Sequence, residues 1–161
     1  MKKIYMLRQK LHYLEGNAYV HDVVITGSIV AEKYAAGLAI KAEKGNVKIE
    51  NIENWARITA GYKVAGIIVN GYGVLNSNKI EIINCKNYGN ITSTGLKDKQ
   101  ANVGGICAYN NNGSISITGC YNFGDITVKM HNDTASDCVP VGVGGIIGAL
   151  SYENKEGTYI I

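Results

Sequence analysis

Proline occurs once in this chain, tryptophan and phenylalanine once each, and leucine is scarce. Neither C-x-x-C nor H-E-x-x-H occurs, and there is no apolar run of the roughly eighteen residues that a membrane-crossing helix needs. Each absence removes a class of protein. A single proline with 46% hydrophobic residues argues against a disordered, extended polymer. Without C-x-x-C, Cys85, Cys107, Cys120 and Cys138 do not read as a zinc site, and His12, His21 and His131 supply no two-ligand helix spacing. Positive charge is also missing where it would matter. The net +3 sits in residues 1–16, where Lys2, Lys3, Arg8 and Lys10 stand against Glu15. The rest of the chain is balanced, so no basic face remains to neutralise a run of phosphates, and nucleic acid is not an expected partner.

What is abundant favours strands and turns: Ile, Val, Thr, 11 tyrosines and 20 glycines. Above all, the chain repeats itself. Ile49-Glu50-Asn51-Ile52-Glu53-Asn54-Trp55-Ala56-Arg57-Ile58-Thr59 aligns without gaps with the stretch from Ile82 to Thr92, and both align with Ile117 to Thr127. The pitch from Ile29 to Ile58, Ile91 and Ile126 varies, because loops change length while the strand cores do not. Self-similarity at about this period predicts stacked units, none of which can bury its apolar face alone. The expected fold is all-β: a parallel, right-handed β-helix solenoid of about four rungs. Rungs start near residues 17, 46, 79 and 114 within a repeat region 17–157. Residues 158–161 look like the start of a further rung, since Gly157-Thr158-Tyr159-Ile160-Ile161 resembles Gly113-Ser114-Ile115-Ser116-Ile117. That likeness suggests a piece of a longer protein, or a strand edge that pairs with something else.

Residues 1–16 stand apart. Ile4, Leu7, Leu11 and Leu14 recur at helical spacing and predict a short amphipathic capping helix, with a membrane-surface helix as the alternative. The opening Met1-Lys2-Lys3 resembles the start of a signal peptide, but Arg8, Gln9 and Lys10 interrupt the apolar stretch that should follow, so no cleavable signal is expected here.

Within the rungs, like residues should stack on like. Asn54, Asn87 and Asn122 are expected to form an amide ladder at a bend where Asn tolerates left-handed geometry. Trp55, Tyr88 and Phe123 align beside them, read first as a stacked core or shielding column, with a carbohydrate platform as the alternative. Cys85 and Cys120 share one position and are expected as small core residues that could oxidise in an exported protein. Gly37, Gly66, Gly105 and Gly145 mark a corner or a close backbone approach.

These residues carry a resemblance. Cys120-Tyr121-Asn122-Phe123-Gly124-Asp125-Ile126-Thr127, followed by Gly144-Gly145-Ile146-Ile147-Gly148, resembles the GLUG motif repeat, and Cys85 to Thr92 with Gly104-Gly105-Ile106 is a second match. The resemblance spans about residues 46–150. Trp55-Ala56 departs from its aromatic-Gly pair, and Val69 and Ala108 replace the glycine found at Gly148. Such repeats occur in bacterial surface and secreted proteins, including regions flanking IgA-cleaving metallopeptidases and large adhesins. The resemblance implies an extracellular, non-catalytic scaffold and supplies no catalytic residues or cofactor.

For chemistry, the longest insertion, 128–142, is the first place to look. Cys138 and His131 match no nucleophile signature, and Asn132, Asp133 and Asp137 offer too few oxygens for a firm calcium site. Loops at 31–34, 60–63, 93–102 and 128–142 should leave one corner of successive rungs. Lys97, Asp98, Lys99, His131, Asp133 and Asp137 would then form a polar ridge, the expected contact surface for a glycan or protein on a host or microbial surface. Glu50, Glu53 and Glu81 read as outward positions rather than as a catalytic carboxylate pair. The sequence therefore predicts a surface scaffold or adhesin segment without metal or cofactor. A β-helix polysaccharide-active enzyme and a pure spacer are the alternatives.

Overall fold

Short runs of β-branched residues punctuated by Gly and Asn leave little choice but extended chain, and the computed structural model is built of strands throughout its described residues. Those are 13–43, 45–72, 79–96, 100–111, 114–129, 142–151 and 159–160. The first set of strands is β1 (Tyr13–Glu15), β2 (Ala18–Ile25), β3 (Ser28–Val30) and β4 (Tyr34–Ala36). The second is β5 (Ala39–Glu43), β6 (Val47–Asn54), β7 (Arg57–Ala60) and β8 (Lys63–Ala65). The third comprises β9 (Ile68–Tyr72), β10 (Lys79–Ile83), β11 (Lys86–Asn87), β12 (Ile91–Ser93) and β13 (Asn102–Gly104). The fourth comprises β14 (Cys107–Asn111), β15 (Ser114–Thr118), β16 (Tyr121–Asn122), β17 (Ile126–Val128) and β18 (Gly142–Gly144). Two strands follow, β19 (Ile147–Ser151) and β20 (Tyr159–Ile160).

Four parallel sheets gather these strands. The orders are β1-β5-β9-β14-β19, then β16-β11-β6-β10-β15-β20 with β2 beside β6, then β17-β12-β7-β3, and β18-β13-β8-β4. Each sheet takes strands from successive rungs, and the registers reproduce the sequence alignment: Ile29, Ile58, Ile91 and Ile126 are neighbours, as are Asn54, Asn87 and Asn122. Tyr159 pairs with Ile115 and Ile160 with Ser116, the same offset as the sequence likeness between those segments. This parallel all-β arrangement is compatible with the expected β-helix. The capping helix is corrected in part: residues 13–15 are strand β1, paired to β5, with Leu14 in the core. The rest of that segment, His12 included, lies outside the described residues.

Inward positions form two main clusters. Ile49, Ile52, Ile82, Cys85, Ile115 and Ile117 meet Ala39, Ile68 and Cys107 across the first two sheets, while Ile58, Ile91, Val64 and Val103 fill the space between the other two. In β6 the in-out alternation runs Val47 in, Lys48 out, Ile49 in, Glu50 out, and then slips by one residue at Asn51. The slip has a backbone cause. Asp22, Asn51 and Asn84 have φ of 55°, 53° and 52°, and Gly119 has φ of 63°; register places all four in one column. A left-handed residue adds one outward position, as a bulge does, so Ile52 and Asn54 turn inward again. The left-handed column is therefore at 22, 51, 84 and 119, not at Asn54, Asn87 and Asn122, which follow three residues later.

Candidate functional site

The slip at the left-handed column decides what faces water. Asn54 and Asn87 end up buried and Asn122 half-buried, so their amides must be satisfied internally. They are: Asn54 Nδ2 donates to Asn87 Oδ1 at 2.6 Å, and Asn87 Nδ2 donates to Asn122 Oδ1 at 2.7 Å. Each also donates to the carbonyl two residues ahead: Ala56, Gly89 and Gly124. This ladder anchors the next residue in each rung, and that residue points out. Trp55 and Tyr88 stack with centroids 4.0 Å apart and planes 14° from parallel, and Tyr88 and Phe123 stack at 5.0 Å and 11°. Tyr121 extends the cluster, 6.0 Å from Phe123. The column lies outside the core, with Trp55 51% and Phe123 62% exposed.

A second column runs parallel to it. Two residues after each aromatic position come Ser28, Arg57, Asn90 and Asp125, which register places side by side. Between the columns lie Gly27, Ala56, Gly89 and Gly124, and at the last two the backbone of the preceding rung leaves no room for a side chain: an added Cβ would lie 1.9 Å from the Ala56 carbonyl oxygen at Gly89 and 2.1 Å from the Gly89 carbonyl oxygen at Gly124. Aromatic wall, small floor and polar wall make an open groove of about 450 Å³, lined by Gly27, Ser28, Trp55, Arg57, Tyr88, Gly89 and Asn90. That volume is within the range of small-ligand sites. Asn90 Oδ1 accepts a hydrogen bond from the Asp125 amide at 3.1 Å. Sequence reading singled out the aromatics but not Arg57, Asn90 and Ser28. The signal was there, in their fixed spacing of two residues beyond each aromatic position.

The other proposed ligand surface behaves differently. Lys97, Asp98, Lys99, His131, Asp133 and Asp137 all lie outside the described residues, as does Cys138. The stems of their loops are described and do converge: Thr94 N donates to Ala60 O at 2.8 Å, and Lys129 N donates to Ser93 O at 2.8 Å.

Glu50, Glu53 and Glu81 are each engaged by different partners. Tyr19 and Lys48 both bond Glu50, and these partners hold its carboxyl below the usual range. Glu53 accepts the Trp55 indole N–H at 3.2 Å, and Glu81 pairs with Lys79 at 2.7 Å. The Glu50 carboxyl, held ionised by Tyr19 and Lys48, is the opposite of the raised-pKa acid that glycoside hydrolysis needs. His21 is exposed beside Asp22, with Nδ1 and Oδ2 2.9 Å apart. Among the described residues, no three His, Cys, Asp or Glu side chains cluster as metal ligands.

Cys85 and Cys120 are neighbours in adjacent rungs, the Cys85 backbone N–H reaching Cys120 Sγ at 3.3 Å. A hydrogen bond between the two thiols draws Cys120 down against the effect of its burial, while the same bond and burial together push Cys85 far up. Lys63 is only 9% exposed, its ammonium 3.7 Å from the centroid of Tyr109 and 5.3 Å from that of Tyr62; burial lowers its pKa. No family model, curated protein or solved structure compared with the chain matches it.

Proposed function

We propose that this chain is a right-handed β-helix segment of about four rungs that acts, without catalysis, as a scaffold or adhesin of a bacterial cell-surface or secreted protein. Its lateral face holds out a glycan-binding surface. The reading rests chiefly on the exposed aromatic column of Trp55, Tyr88 and Phe123. Trp55 and Phe123 are more than half exposed, with Tyr88 half-buried between them. Each of the two outer rings forgoes part of the roughly 1.5–3 kcal/mol that full burial would supply, so a column kept outside in every full rung needs a reason beyond stability. Rings displayed beside hydrogen-bonding side chains suit sugars, which offer apolar C–H faces and polar rims. The resemblance of the rungs to GLUG motif repeats supports the surface location. A polysaccharide-active enzyme is the weaker reading, because Glu50, Glu53 and Glu81 are each tied to a different partner.

Native electrophoresis through gels cast with different polysaccharides, stained afterwards for polymer loss, tests this. Retardation without clearing is the expected result. Clearing of the polymer would establish the enzyme instead, and unretarded migration on every polysaccharide would reject a glycan-binding face.

A further inference from the structure

The aromatic column ends at Trp55 on one side. Its indole covers Tyr88 with one face, while the opposite face looks toward the first rung, where register places exposed Thr26 in the aromatic position. Below that face lie Gly27 and Ser28, and a Cβ added at Gly27 would meet nothing within 4 Å. The groove thus offers one more stacking level that no aromatic among the described residues fills. Arg57 stands at its rim. The ion pairs of the described residues join His21 to Asp22, Lys48 to Glu50 and Lys79 to Glu81, and none involves Arg57. Its guanidinium is a planar fork suited to a carboxylate. Asn90 commits its Oδ1 to the Asp125 amide, leaving Nδ2 as a donor, and Ser28 adds a hydroxyl.

We propose that the open face of Trp55, with Arg57 and Ser28, binds an acidic sugar residue of a polysaccharide, its C–H face on the indole and its carboxylate on Arg57, while Asn90 lines the continuation of the groove beside Tyr88. The site rests on the glycan-binding reading above and gives it a substrate class. It also has a polarity. Glu53 and Arg57 flank Trp55 two residues away on either side, and Glu53 already takes the indole N–H. The acidic group therefore points to Arg57, and a hydroxyl donor points to Glu53.

Trp55 is the only tryptophan of the chain, so its emission reports on this site alone. The test titrates the whole chain with trigalacturonate and, separately, with a neutral galactose trisaccharide. The expected result is a saturable change in Trp55 emission, with the acidic trisaccharide binding about tenfold more tightly than the neutral one, the size of one charge-assisted hydrogen bond. Arg57→Gln should erase that preference, bringing the acidic trisaccharide's affinity down to about that of the neutral one on the same variant, and added salt should narrow the preference in the parent chain. Equal affinity for both sugars, or a preference that survives Arg57→Gln, overturns the proposal. So does emission that responds to AMP but to neither sugar, which would make the groove a nucleobase site. If gels still retard Trp55→Ala as they do the parent chain, polysaccharide binds elsewhere: the site fails and the glycan-binding reading stands. If neither gels nor emission respond, both fail.

Discussion

Individual side chains here draw their chemistry from the neighbour one rung away. Cys120 is the clearest case. It accepts from the Cys85 backbone and shares a thiol hydrogen bond with Cys85, and both interactions favour its thiolate. Cys107 is fully buried, and burial raises its thiol to about 12. Iodoacetamide should therefore label Cys120 first of the three described cysteines, read by peptide mass mapping. Cys85→Ala should slow that labelling, and faster labelling of Cys107 would contradict the assignment. Lys63 allows a pH argument. Burial lowers its folded pKa below the 10.5 of the free side chain, so the unfolded chain binds more protons within that window. Stability relative to Lys63→Met should then rise as pH climbs through the window toward 10.5, and level off above it. Paired urea titrations at several pH values measure the difference, and a gap that does not change with pH would refute it. None of this was legible in the sequence. A lysine between Tyr62 and Val64 carries no sign that it is buried against Tyr109, because that ring arrives from the next rung.

At the scale of elements, two columns hold each other in place. The inward amide ladder packs against the glycines of the opposite corner: a Cβ on Gly66 would lie 2.1 Å from the Gly105 carbonyl oxygen and 2.6 Å from Asn87 Cγ. On Gly105 it would lie 1.9 Å from the Gly145 carbonyl oxygen, whereas Gly145 itself has nothing within 4 Å. Gly105→Ala is thus expected to cost about 3 kcal/mol or more, since backbone must move, and Gly145→Ala under about 1 kcal/mol. Chemical denaturation of the pair decides the matter, and similar midpoints would show that the glycine column is not under compression. The sequence alignment found both the Asn ladder and the glycine column, because each repeats in every full rung. It misplaced the bend. Asn51 and Asn84 looked interchangeable with Asn54 and Asn87 by residue type, and only backbone torsion separates a left-handed Asn on the surface from an extended one inside.

Across the whole molecule, every described strand pairing is parallel and joins residues 28 to 44 positions apart, so each strand's stability depends on strands from distant stretches of the chain. Hydrogen exchange should follow that layout. Amides of β6, β10 and β12, with pairing partners on both sides, are expected to exchange slowest, and those of β17 and β18, where Ile126 and Val128 are only half-buried, fastest. Uniform protection across the rungs would mean one all-or-none unit instead. The sequence by itself determined the strand character, the parallel stacking register and the identity of the columns, since identical residues recurring at one period can satisfy their burial and hydrogen bonds only by lying on one another. Tertiary structure alone decided which columns face water. A single left-handed residue per rung moves the alternation by one position, and that slip turns Asn54 inward, turns Trp55 outward and sets Arg57 beside it at the edge of a groove.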